Sequence, residues 1–347
     1  MTDAALNLER KPLLKTDEMP DFARNAINLA SAGLGARAVS ATDEFFAPLL
    51  RMLQDSNPVF ITNKYDDHGK WMDGWESRRR RGGGHDHAII ALAVPGTING
   101  FDVDTSFFTG NHPPECRIEA CRSEGDPNDD TAWTELVPMQ DLNPDSHHFL
   151  PCDNGNVWSH LRFHIHPDGG VARLRVFGIP YLDPASIEGR DIDLLATLNG
   201  GRIVAYSDAH YGTYHRLLAP GRGQNMGDGW ETRRRRGPGH DWIILALGVR
   251  GAVSRAIVDT AHFKGNYPDS CSIQAVDLGM IGVNIGDAAI GGSEDWPSML
   301  SHQKLSADTV HDFLGNQIED LGPITHVRLN IFPDGGVSRL RLYGRAA

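Results

Sequence analysis

The chain has 347 residues, 40% of them hydrophobic, which supplies apolar material for two ordinary cores. With 45 acidic against 33 basic residues its formal net charge is −12, a balance that argues against a general nucleic-acid binder. No run reaches 18 apolar residues, so no membrane span is expected, and the 38 glycines and 20 prolines between short apolar runs favour strands and turns.

Residues 1–27, which open MTDAALNLERKPLLKTDEMP, lack the apolar segment of a signal peptide and are read as an N-terminal extension of a cytoplasmic chain. Helical periodicity is weak except in DEFFAPLLRML, near residue 50. Then comes DGWESRRRRGGGHDH, from Asp73 to His87, which returns as DGWETRRRRGPGHDW from Asp228 to Trp242 with 12 of 15 positions identical. If WESRRRR is extended, Glu76, Arg78 and Arg80 share one side, and Trp75, Ser77, Arg79 and Arg81 the other. In the second copy Glu231, Arg233 and Arg235 share the side. Glu and Arg on one face can pair or converge on one ligand, and the planar fork of arginine suits a carboxylate. The alternative is a solvated strand with ion pairs.

In the GHD step, His85 and His240 are open between a general base or metal ligand and a structural role, whereas Asp86 and Asp241 read better as caps of the turn. The apolar runs AIIALAV and WIILALGV follow, and each leads to a DT..F.GN.P segment. There Asp104, Asn111, Asp259 and Asn266 are candidate site residues on a loop, while the glycines serve the turn. His262 stands in the second copy where Phe107 stands in the first. It is a candidate for proton transfer, with the second copy supplying more of the catalytic groups. In HLRFHIHPDGG, His164 and His166 have acceptable metal-ligand spacing. The second copy has Asn330 and Phe332 there, so a structural role is the expectation. VARLRVFG and VSRLRLYG alternate Arg and Leu as strands do.

The matching segments keep an offset of 155 up to the cysteines Cys116 and Cys271 and reach 166 at PDGG, so the second copy carries 11 extra residues, expected in GMIGVNIGDAAIGGSEDWP. The repeating unit is a whole domain rather than a solenoid module: residues 28–182, a connector over 183–194, and residues 195–347. Cys116, Cys121, Cys152 and Cys271 form no CxxC pair. The equivalent places of Cys116 and Cys271 suggest buried apolar residues in a reducing compartment.

The doubled DGWE[ST]RRRR…GHD followed by VDT..F.GN.P resembles the allantoicase family over nearly the whole chain, from about Ala30 to Gly344. That resemblance implies an all-β fold of two tandem jelly-roll, galactose-binding-like β-sandwiches. It implies hydrolysis of allantoate to ureidoglycolate and urea, a step of purine degradation. The residue types fit: a guanidinium for the carboxylate, oxygens for the ureido N–H groups, and an acid and a base for C–N cleavage. The expected catalytic set is Glu76, His85, Glu231, His240 and His262. Arg78, Arg80, Arg233, Arg235, Asp104, Asn111, Asp259 and Asn266 form the expected substrate-binding set. These residues require no cofactor, and a divalent metal and a homo-oligomer are left open. A non-catalytic binding module for carbohydrate or anion is the competing reading, because sandwiches of this type are often appendages.

Overall fold

The computed structural model describes residues 8–11, 18–24, 26–279 and 285–347, so parts of the N-terminal extension and of the Gly-rich stretch lie outside the described residues. The chain forms two compact units, Met1–Tyr181 and Leu182–Ala347. In the first, the strands that matter are β1 (Arg37–Ala41), β2 (Trp75–Glu76), β3 (Asp86–Asp104), β4 (Glu115–Cys121), β5 (Thr134–Asp141), β6 (His147–Pro151), β7 (Val157–His166), β8 (Gly170–Val171) and β9 (Arg173–Pro180). The second repeats them as β10 (Arg202–Tyr206), β11 (Trp230–Glu231), β12 (Asp241–Asp259), β13 (Ser270–Val276), β14 (Ser298–Lys304), β15 (Val310–Leu314), β16 (Pro323–Phe332), β17 (Gly336–Val337) and β18 (Arg339–Ala346).

All of these pairings are antiparallel. The 19-residue β3 belongs to both layers: Ala88–Ala91 pairs with β1 and β7, whereas Gly100–Asp104 pairs with β6 and β9. The strand folds over near Gly96, so its two ends return to the same turn. The Asp86 amide donates to Pro167 O, and the Ala172 amide donates to Asp104 O. β12 repeats the arrangement with β10, β16, β15 and β18. Both motif loops of each repeat therefore hang at one end of a jelly-roll sandwich, around its PDGG turn.

Inward-facing alternate residues of the two layers build one main core in each unit, and Met72, Phe108 and Ala172 form a smaller cluster in the first. Trp75 and Trp230 are fully buried at its edge, and their indole N–H groups donate to Asp43 O and Asp208 O. Leu174 and Val176 enter the core as the Arg–Leu alternation predicts. Arg173 is nonetheless buried too, because Asp73 accepts from its Nη2 at 2.8 Å. All four cysteines are free and buried, and burial pushes the Cys116 and Cys271 thiols up to about 12.

Three expectations need correction. WESRRRR is paired as a strand only over Trp75–Glu76; beyond it carboxylates accept from arginine backbone amides as well as side chains. DEFFAPLLRML gives only a short 3₁₀ turn, Leu49–Leu53, since Pro48 disfavours helical geometry at the residue before it. The extra residues of the second copy are split. The offset is 155 at β13, 163 at β14 and β15, and 166 at β16, so eight lie in the Gly-rich stretch and three between β15 and β16.

Candidate functional site

The arginine runs are pinned by aspartates from elsewhere in each repeat. The Arg78 amide and Nε donate to the Asp43 carboxylate at 2.9 and 2.7 Å. The Arg80 amide donates to Asp168 at 2.7 Å, and its Nη2 to Asp86 at 2.6 Å. The second copy matches contact for contact: Arg233 with Asp208, the Arg235 amide with Asp334, and the Arg235 guanidinium with Asp241. Asp86 and Asp241, read from sequence as turn caps, are thus buried anchors for guanidinium groups. Arg78 and Arg233 keep Nη1 outside these pairs, on side chains 63% and 66% exposed. Arg79, Arg81, Arg234 and Arg236 are exposed as well. In the second repeat the run borders a cleft of about 310 Å³ with Asp208 and Asp241.

Beside each run a glutamate meets an asparagine. Asn111 Nδ2 donates to Glu76 Oε1 at 2.7 Å, and Asn266 donates to Glu231 in the same way. Burial pushes the Glu76 carboxyl above its usual range. The bond from Asn111 opposes that shift, and the Asp66 charge adds to it. The loop that presents the asparagine is shaped by its neighbours. Asp104 Oδ1 accepts from the Ser106 amide at 2.8 Å, and Asp259 Oδ1 from the Ala261 amide at 2.8 Å. Phe108 lies so close to Gly170 that a Cβ there would come within 2.0 Å of its ring, and Phe263 stands in the same relation to Gly336. The second glycine of PDGG is therefore required for the aromatic of F.GN to pack. The Gly170 amide then donates to Asn111 O at 2.7 Å, which places the asparagine.

His262 and Phe107 share a left-handed backbone, φ 70° and 67°. Each pins the loop that precedes the tryptophan: His262 Nε2 bonds Gly223 O at 2.7 Å, and Phe107 stacks on Phe60 with centroids 5.7 Å apart. His262 thus makes an anchoring contact at the place where proton transfer is the sequence expectation. Asp104 also faces His147 and Arg175, which are joined to Asp102 at 3.0 and 3.1 Å. Ile257 and Val310 replace Asp102 and His147 in the second copy.

His85 and His240 stand apart from the glutamates, on the outer face of β3–β7–β4 and of its counterpart. His85 Nε2 is 2.8 Å from His164 Nδ1, and its ring stacks on His166 at 4.0 Å. His164 Nε2 donates to Glu119 at 2.7 Å. Glu119 also receives Arg162 and Arg117; burial raises its carboxyl, but the His164 bond and these two guanidiniums bring it below the usual range. Burial pushes His164 down to about 4. In the second copy His240 contacts Asn330 at 3.0 Å and borders a cleft of about 500 Å³ with Gln274, Arg328 and His302. The alternation along β7 signalled one polar face. The sequence left unread His87, Glu119 and Asp43, whose places depend on strand register and on loops more than 30 residues away.

A family model described as "Allantoicase repeat" matches residues 27–181 and 192–347. A Rhizobium meliloti (strain 1021) protein named "Probable allantoicase" is 60% identical over 329 residues, which cover 95% of this chain and 96% of that one. A "Probable allantoicase" of Stutzerimonas stutzeri (strain A1501) is 55% identical, with 92% and 96% covered. The crystal structure of allantoicase from Saccharomyces cerevisiae superposes with a TM-score of 0.78 at 32% identity, over 97% of this chain and all of that one. The doubled motif, the doubled sandwich and these matches agree: the chain belongs to the allantoicase family and carries its repeat twice.

Proposed function

We propose that the allantoicase reaction of this chain, allantoate and water to ureidoglycolate and urea, is carried by the repeated Glu–Asn pairs, Glu76 with Asn111 and Glu231 with Asn266. The observation that supports this is their recurrence in the same hydrogen-bonded arrangement at the loop end of both sandwiches. The asparagine spends its N–H on the glutamate, so its Oδ1 is left to accept from a ureido N–H. One glutamate oxygen is left for the reacting centre. A carboxyl raised by burial, as in Glu76, holds its proton closer to neutral pH, which suits an acid that must protonate a departing ureido nitrogen.

The reaction breaks one bond from the central carbon of allantoate to a ureido nitrogen. The glutamic acid gives its proton to that nitrogen, and urea leaves. Water then bonds to the carbon and returns a proton to the glutamate, which closes the cycle. Arg78 and Arg233, fixed by Asp43 and Asp208, have Nη1 available for the substrate carboxylate, whose charge a guanidinium matches well.

The double variant Glu76→Gln, Glu231→Gln tests the assignment, with the two single variants for comparison. The double variant is expected to lose about 10²–10⁴-fold in urea release while it still binds allantoate. Near-normal turnover would remove both glutamates from the chemistry. Wild-type protein that binds allantoate but releases no urea would restore the binding-module reading.

A further inference from the structure

Three histidine rings from two adjacent strands converge on the outer face of the first repeat. His85 immediately precedes β3, His87 lies in it, and His164 is the cross-strand partner of His87 on β7. One nitrogen from each ring lies within 4.8 Å of the other two. We propose that His85, His87 and His164 form a binding site for one divalent first-row transition ion of the zinc class, with Glu119 orienting His164.

Three imidazoles with a fourth position open to water are a tetrahedral zinc donor set, and imidazole favours such ions over magnesium or calcium. Nitrogens bound to one tetrahedral ion lie about 3.3 Å apart. His85 Nε2 and His164 Nδ1 are already 2.8 Å apart, in a hydrogen bond that His85 donates and that an ion would replace once His85 carries its proton on Nδ1. His85 and His87 are partly exposed, so their rings can turn to close the remaining gap.

Glu119 supplies a further element of a built site. It accepts from His164 Nε2 at 2.7 Å, which fixes the tautomer and leaves the Nδ1 lone pair facing the other two rings. The Arg117 and Arg162 guanidiniums work against a cation, but both are turned onto Glu119. The second repeat has Trp242, Asn330 and Gln274 in place of His87, His164 and Glu119. The site is thus specific to the first copy, and it stands whether or not the Glu–Asn pairs carry the reaction.

The test uses untagged full-length protein, stripped with chelator and desalted, then titrated with Zn2+ by calorimetry and with Co2+ by visible absorption. The expected result is one ion per chain, with intense tetrahedral Co2+ bands that Zn2+ abolishes. His87→Trp and His164→Asn install the residues of the second repeat. Each should weaken Zn2+ binding at least about 100-fold, and Glu119→Gln about 10–100-fold. His68→Ala, on an exposed hairpin, should leave binding unchanged. Thermal melts of the metal-free variants separate loss of the site from loss of the fold. A wild-type protein without a stoichiometric site, or a site that survives both histidine substitutions in folded protein, overturns the proposal.

Discussion

Arg80 reaches six residues along the chain to Asp86 and closes the Gly-rich turn with a 2.6 Å ion pair, in which the carboxylate is almost fully buried. Thr42 Oγ1 donates to the same oxygen at 2.8 Å. Arg80→Ala leaves that buried charge with Thr42 as its one hydrogen-bond donor among the described residues. The expected cost is about 1.5–3 kcal/mol, the range for a charged hydrogen bond, read as a lower midpoint in urea denaturation. Arg79→Ala, which removes an exposed side chain, should move the midpoint little.

Arg233→Lys separates positioning from stability. The guanidinium holds Asp208 through Nε and Nη2, but the side chain is 66% exposed, so the ion pair contributes at most about 1 kcal/mol to folding. Lysine keeps the charge and loses the fork. We expect kcat/KM for allantoate to fall about 10–150-fold, equivalent to about 1.5–3 kcal/mol, with Tm nearly unchanged. A well-folded variant with unchanged kcat/KM would make the run a structural tether only.

His262→Phe installs the residue that the first repeat uses at the same left-handed position. The bond to Gly223 O is lost, which is worth about 1 kcal/mol of stability, and the aromatic ring can still cover the loop. Urea release is expected to stay within a few-fold of wild type. A loss of about 10²-fold or more would assign proton transfer to His262.

Glu76 gives a pH prediction with a definite sign. Burial raises its folded-state pKa above the usual carboxyl range, so the folded protein holds this proton more tightly than the unfolded chain does. The contribution is favourable below the usual range and is lost as pH rises through the window up to the raised value. Above that window the ionised, half-buried carboxylate costs stability. Glu76→Gln keeps an oxygen for Asn111 Nδ2, so it should raise Tm at pH 7–8 relative to wild type, and the difference should vanish near pH 4.

Much of the fold was legible because it is written twice. The repeat follows from the doubled motifs and their offsets, and the inward Leu174 and Val176 from the alternation of VARLRVFG. The site was legible only as a set of motifs. Nothing local shows that Asn111 meets Glu76, or that Asp43 holds Arg78: both contacts join loops across 35 residues, and the first of them spans the whole of β3 and its fold-over. The histidine face was half legible. His164 and His166 announced themselves on one strand, but the loss of both from the second copy pointed to a structural role, and the partner strand carrying His87 entered only with the register.

The fold-over of β3 and β12 sorts where the duplicated halves have been free to change length. The extra residues after β13 and after β15 both fall at the end where the long strand bends, since Val276 lies opposite His326 and Pro323 opposite Ala252. At the opposite end, the intervals from Glu to Asp, from β3 to β4 and from β5 to β6 are identical in the two copies. The exception is the segment before the tryptophan. From Asp43 to Glu76 it is ten residues longer than from Asp208 to Glu231, and it contributes Phe60 in one copy and Gly223 in the other. The spacing of the Glu–Asn loops is therefore the same in the two copies, while one wall around them differs. Two Glu–Asn pairs with the same hydrogen bond are thus presented to different surroundings, an asymmetry on which the two copies can differ in what they do.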